Sequence, residues 1–208
     1  MDDKIQDTVC GAIKMMNKIG QSEDGAVVAQ TKLWLEQVII KLNFCPFAKK
    51  EFVQNTIAYP VIRQHSMALA LEQLQQQFVV LDNNPKIATS LVIFPEHFND
   101  FYDFLDLVDM SQALLESLGY EGIYQIATFH PNYVFEGVPQ HDASHFTNRS
   151  PYPTLHLIRE DDMERAVKAH PDPEGIPDTN IKLSQELGAE YFQSLLLSFK
   201  QHTRTEDK

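Results

Sequence analysis

The sequence predicts an α/β fold: a mixed sheet of about four to five strands flanked by helices, with a long functional loop after the 123–129 strand. Three observations carry this. Helical and strand-like segments alternate along the chain, which implies βαβ crossovers and a sheet covered by helices. The run "ATSLVIF" (88–94) is continuously apolar, the pattern of a strand buried on both faces. The strand "IYQIATF" (123–129) opens directly into a stretch, His130 to Pro153, that is broken by prolines and glycines and has almost no periodicity. Unstructured loops beyond about 12–15 residues are uncommon in compact domains and usually serve function.

Taken in order, Ile5, Val9, Ile13 and Met16 have helical spacing, with Gly20 as a stop and "GQSEDGA" as a linker. Residues 1–25 are therefore expected to form an N-terminal helix and linker, and 26–208 a single α/β domain. A second helix is expected from Thr31, a good N-cap, carrying Leu33, Trp34, Val38, Ile39 and Leu42 inward. It must end near Asn43, because Pro46 disfavours helical geometry at Cys45. "TIAYPVI" (56–62) reads as an edge strand, since Pro60 cannot donate to a ladder. Ser66 caps a helix running to about Phe78.

After the 88–94 strand, a long helix turns Phe98, Phe101, Leu105, Val108, Leu115 and Leu118 inward and stops at Gly119. Within the 130–153 loop, Tyr133, Phe135 and Phe146 argue for order, because aromatics are depleted where no core is buried. "TLHLI" (154–158) alternates as a strand, with His156 and Ile158 on one face. Helices near 160–169, 179–187 and 189–201 complete the chain.

Charge and composition limit the partners. Asp and Glu outnumber Lys and Arg by 29 to 17, giving a net charge of −12. That surface repels nucleic acid and anionic lipid, whose binding rests on neutralising phosphates. No apolar run approaches the ~20 residues that span a bilayer, and the acidic start "MDDKIQDTVC" lacks the features of a signal peptide. Only Cys10 and Cys45 occur, in neither a zinc nor a disulfide spacing. The expectation is a cytoplasmic protein with no nucleic-acid or membrane partner; oligomeric state and cofactor are not legible.

The chemistry-bearing residues cluster in and around "FTNRSPYPTLHLIRE" (146–160). Arg149 presents a planar fork of donors suited to a carboxylate or phosphate, and Asn148 adds an amide. Tyr152 and Arg159 extend the same set. Alternatively, Arg149 pairs with Asp142, and Arg159 with Glu160 or Asp162. Four of the eight histidines (His130, His141, His145 and His156) lie within 130–156, and imidazole is the usual general acid or base near neutral pH. His130, at a strand's carboxyl end where ligands favour α/β sheets, is a catalytic candidate, as is His156. His141 and His145 reach one metal only on a helix, which "QHDASHF" does not favour; no metal is expected. Cys45 is a candidate nucleophile through Lys49 and Lys50 nearby, or an inert thiol between Phe44 and Phe47 at a helix end whose dipole opposes the thiolate. HExxH, CxxC, P-loop, GxGxxG and GxSxG motifs are absent.

The segments "WLEQVIIKLNFCPFA" (34–48), "QIATFHPNYVFEG" (125–137), "NRSPYPTLHLIRE" (148–160) and "NIKLSQELG" (180–188) resemble the bacterial domain of unknown function 1415. The likeness spans roughly 34–188. It implies importance for Cys45, Pro46, Phe47, His130, Pro131, Tyr133, Asn148, Arg149, Tyr152, Pro153, His156, Arg159 and Glu160, and for neither His141 nor His145. It departs at Ala88, where the family more often has an acidic residue, and it brings no established activity.

The functional expectation is an enzyme acting on a small anionic metabolite (carboxylate or phosphate) by general acid–base chemistry. Asn148, Arg149, Tyr152 and Arg159 would bind the ligand, and His130, His156 and Cys45 would carry the chemistry. The alternatives are a non-catalytic small-anion binding or regulatory module, and a purely architectural cluster pinning the loop.

Overall fold

A computed structural model describes residues 23–202. The helix expected over 5–19 lies outside the described residues. Helix α1 occupies 23–34 and continues as a π-helix over Leu35–Ile40. Residues 23–26, expected as linker, are thus helical, and Asp24 accepts from Arg63 Nε at 2.8 Å. Thr31 is not a cap. It lies mid-helix, where its hydroxyl donates to the Val27 carbonyl at 2.9 Å, an alternative partner open to a threonine that faces the preceding turn.

The remaining elements are α2 (Ala48–Val53), β1 (Ile57–Ala58), α3 (Met67–Asn83), β2 (Thr89–Ile93), α4 (Phe101–Ser117) and β3 (Tyr124–Phe129). A short 3-10 helix (Ala143–Thr147) then precedes β4 (Thr154–Arg159), α5 (Glu160–Ala169), α6 (Ile176–Leu187) and α7 (Ala189–His202). The sheet has four strands in the order β1-β2-β4-β3, within the expected range. β1 and β2 are parallel, whereas β4 runs antiparallel to both β2 and β3. The expected mixed α/β sheet is therefore present, with its one reversed strand in the middle. β1, the strand before Pro60, lies at the edge as expected.

Alternation along the strands builds two cores, one on each face. On one face Val92, Leu155 and Leu157 pack against Leu74 and Phe78 of α3 and Phe104 and Leu107 of α4. On the other, Leu91 packs with Trp34 and Val38 of α1, Phe146 of the long loop and Phe192 of α7. Each large apolar side chain so buried contributes about 1.5–3 kcal/mol, so the helical layers hold the short sheet from both sides. Ser66 caps α3 as expected, accepting from the Leu69 amide. The helix continues past Phe78 to Asn83 because Leu81 adds another fully buried turn. In α4 the buried stripe is Phe104, Leu107, Ser111 and Leu115, and Leu105, expected inward, is exposed. Asp100 caps this helix, leaving Phe98 before it at φ 59°.

Candidate functional site

Because β4 is reversed, its carboxyl end lies beside the amino end of β2: Thr89 pairs with Ile158 in the register. The turn before α2 and the helix α5 frame that end, and a cavity of about 640 Å³ opens between them. Its walls include Phe47, Ile158, Met163 and Ala166, and its polar groups include Cys45, Thr89, His156 and Arg159. The cavity lies at the carboxyl end of β4, the kind of place where ligands favour α/β sheets, and not at the carboxyl end of β3.

His156 is half-buried and lines this cavity. Its Nε2 is 2.7 Å from Thr89 Oγ1, and that hydroxyl is 2.6 Å from the Leu157 carbonyl. A hydroxyl has one proton. Thr89 gives it to the carbonyl, so its oxygen accepts from Nε2–H, and the tautomer follows from this bonding pattern. Nδ1 is then left with a lone pair and has no hydrogen-bond partner among the described residues. Burial pushes the imidazole pKa down to about 4, so the ring is neutral at pH 7.

Cys45 follows the π-helix and Asn43, whose φ is 57°. Its thiol is half-buried and lines the cavity. As expected, Cys45 follows a helix end, its amide donating to the Ile39 carbonyl of the π-helix at 3.3 Å, and it also stands just before α2. Burial pushes the thiol pKa up, while hydrogen bonds from the Phe47 and Ala48 backbone act in the opposite direction. Burial dominates and the resting group is the neutral thiol. Phe47 packs edge-on against His170, with ring centroids 5.9 Å apart, joining this turn to the end of α5.

Arg159 is not paired with Glu160 or Asp162. Its Nη1 donates to Tyr124 Oη at 3.0 Å and its Nη2 to the Leu81 and Ile87 carbonyls at 2.5 and 3.3 Å. Tyr124 in turn donates to Asp82 at 2.7 Å, and its pKa is pushed up to about 12, first by burial and then by that carboxylate. The guanidinium is thereby held by neutral acceptors on the α3–α4 face of the sheet, opposite the face of His156 and Thr89, and among the described residues no carboxylate forms an ion pair with it. At the mouth, Lys50 pairs with Glu51 at 3.0 Å and Arg165 with Asp162. Exposed pairs of this kind are worth about 0–1 kcal/mol, so an anionic ligand can compete for both cations. Arg159 and Arg165 also border a smaller cavity of about 380 Å³, which contains neither a histidine nor a thiol.

The long loop occupies the opposite end of the sheet, and its polar groups are spent on the loop backbone and on neighbouring elements. His130 is fully buried; its Nε2 donates to the Phe98 carbonyl at 2.9 Å and its Nδ1 accepts from the Asn132 amide at 3.0 Å. It stacks on Phe104 with centroids 5.0 Å apart, and burial lowers its pKa. His145 repeats the pattern with the Phe135 amide and the Pro139 carbonyl. Asn148 donates to the Thr128 carbonyl, and its own carbonyl accepts from the His130 amide. Arg149 Nε donates to the Tyr133 carbonyl at 3.1 Å, and its guanidinium sits 4.5 Å from the Phe146 centroid. Asp142, its expected partner, instead caps the 3-10 helix and accepts from Gln185. Tyr152 donates to Gln30 at 2.5 Å.

The expected single cluster is therefore divided. Cys45, His156 and Arg159 line one cavity, whereas His130, Asn148 and Arg149 are bound into the loop at the far end. Thr89 and Arg165 belong with the cavity and carry no signal in the sequence, whereas Lys50, expected only as a charge near Cys45, also lines it. Thr89 is recognisable only through the β2–β4 register, and a reversed central strand leaves no local sequence mark. Among the described residues, no group of three or more His, Cys, Asp or Glu side chains is placed to hold a metal ion, and no helix is long and apolar enough to cross a membrane.

A family model described as Protein of unknown function (DUF1415) matches residues 26–194. The chain belongs to this family. The match takes in every element from α1 through the beginning of α7, and hence every residue of the cavity. No curated protein and no solved structure matches the chain.

Proposed function

We propose that the protein is an enzyme acting on a small anionic metabolite, a carboxylate or phosphate, in the cavity at the carboxyl end of β4, with His156 moving the proton. One observation carries this reading: Thr89 holds Nε2–H, which leaves the Nδ1 lone pair of a neutral imidazole uncommitted beside a cavity. A base must be unprotonated and within reach of substrate, and among the three loop-and-strand histidines His130, His145 and His156 this bonding pattern belongs to His156. Arg159, held without a carboxylate on the other face of β4, adds positive charge to the field around the cavity. Lys50 and Arg165 at the mouth add attraction for the incoming anion. We place the protein in the cytoplasm, a setting supported by a free half-buried thiol that a reducing compartment preserves.

The test is thermal melting with succinate or inorganic phosphate against chloride at equal ionic strength, followed by a turnover screen of small carboxylates and phosphates. A ligand that binds only the folded state at 100 times its Kd stabilises it by about 2.7 kcal/mol. The wild type is expected to be protected, Lys50→Ala to be protected less, and His156→Gln to keep the protection while losing turnover. Equal melting in all three anions would remove the anion site from consideration.

A further inference from the structure

We propose that Cys45 is the nucleophile of this cavity and that the chemistry is acyl transfer through a thioester, on small carboxylate-bearing amides, esters or thioesters with a short apolar acyl part. The inference rests on the anion-site reading above and adds a covalent step to it. Thiol and imidazole come from different parts of the chain, the turn before α2 and the middle of β4, yet line the same cavity. Apolar walls at Phe47, Ile158, Met163 and Ala166 suit an acyl chain, and the mouth cations Lys50 and Arg165 suit a carboxylate at its far end. No hydrogen bond joins the sulfur to the imidazole in the free protein, and such catalytic bonds often close only once substrate is present.

The resting states favour general-base assistance over a preformed ion pair. The thiol is neutral because burial raises its pKa, and the imidazole is neutral because burial lowers its own. His156 is thus ready to accept a proton and gives it up readily afterwards. As the Cys45 sulfur adds to the substrate carbonyl, its proton passes to Nδ1. Collapse of the tetrahedral intermediate breaks the bond to the amine, alcohol or thiol leaving group, which takes that proton, and Cys45 is left as a thioester. Water then adds to the thioester carbonyl and gives a proton to Nδ1. The carbon–sulfur bond breaks, Nδ1 returns the proton to sulfur, and the acid departs. No redox partner is needed. The Phe47 and Ala48 backbone groups that already hydrogen-bond the sulfur stabilise the charge that grows there during each departure.

Mono-(4-nitrophenyl) succinate, an activated ester with a carboxylate, tests this on the full chain, with 4-nitrophenyl acetate as the uncharged control. The expected result is a stoichiometric nitrophenolate burst and a hydroxylamine-labile acyl group mapped to Cys45, favouring the succinate ester. Cys45→Ala should abolish both. His156→Gln should slow the burst by roughly 100-fold, the lower end for a positioned base. If that variant melts as a broken fold, Thr89→Ala, which frees the tautomer and keeps the imidazole, should slow it in the same direction. A burst that survives Cys45→Ala, or acylation mapped to a lysine, would overturn the proposal. Protection by succinate without Cys45 acylation would overturn the covalent step alone and leave the anion site standing. Loss of both would overturn both.

Discussion

His130, fully buried beyond the end of β3, and His156, half-buried in the middle of β4, differ in what their nitrogens are left to do. At the loop end, both ring nitrogens of His130 are used by backbone groups of Phe98 and Asn132. His145 is fixed in the same manner. At the β4 end, His156 uses one nitrogen and keeps the other beside a cavity. The arginines do not divide in this way: Arg149 is folded onto Phe146 and Tyr133, and Arg159 is tied to Tyr124 and the Leu81 and Ile87 carbonyls. A dense group of polar residues in sequence therefore marks two structures, a loop built from its own side chains and a site to which the loop contributes little. Residue type alone does not separate them; unused hydrogen-bonding capacity beside accessible space does.

The largest effect expected from this contrast is on folding. His130→Ala strands a buried carbonyl and a buried amide, each costing about 1–3 kcal/mol, and leaves a void between Phe104 and Phe101. Urea denaturation should show a loss of about 3–5 kcal/mol. His156→Gln gives up one neutral hydrogen bond and should cost no more than about 1.5 kcal/mol. Equal losses at the two positions would break the comparison, because His156 would then be as structural as His130.

A somewhat smaller effect should appear in acid. An unfolded histidine titrates near pH 6.5, whereas His156 in the fold holds out to about 4. Its folded pKa is depressed, so its contribution is fully present above pH 6.5 and is lost as pH falls towards 4, because the unfolded state takes up the proton first. Across that window the difference amounts to about 3 kcal/mol. Stability of the wild type should fall more steeply than that of His156→Gln, measured by denaturation at pH 7, 6, 5 and 4. Parallel curves would mean that water reaches the imidazole well enough to leave its pKa unshifted.

Much of the fold was legible where one interaction dominates locally. The apolar run of β2 has no stable place except between two helical layers, and Ser66 before an amphipathic stretch is a cap by its own chemistry. Thr31 was misjudged because a cap and a mid-helix threonine have the same residue type, and only the preceding turn's carbonyl distinguishes them. Leu105 was misjudged because the stripe in α4 centres on Phe104 and Leu107, a rotation of one residue. At the site, Cys45, His156 and Arg159 were legible as chemistry-bearing types, but their meeting place was not. That depends on β4 entering the sheet reversed between β2 and β3, a long-range choice with no local signature. The cavity opens at the carboxyl end of β4, whereas the carboxyl end of β3 runs into the packed loop.

The smallest effect expected is at Arg149, and it bears most directly on the division between the two ends. Its guanidinium covers Phe146, which is itself stacked on Phe192 with centroids 5.1 Å apart, and its Nε–H reaches the Tyr133 carbonyl. Burial lowers its pKa, but not nearly enough for an arginine to lose its charge at neutral pH. Arg149→Lys keeps that charge and part of the attraction to the ring, while losing the fixed N–H and the planar stack. The stability cost should be about 1 kcal/mol, near the usual net value of one hydrogen bond. Protection by succinate should be unchanged, because no atom of Arg149 lines the cavity with His156. The same melting series run on Lys50→Ala should show the reverse: little change in stability, as for most exposed positions, and weaker protection. If Arg149→Lys instead weakens succinate protection while Lys50→Ala leaves it intact, the anion is bound at the loop end, and the residues that build the loop also bind the ligand.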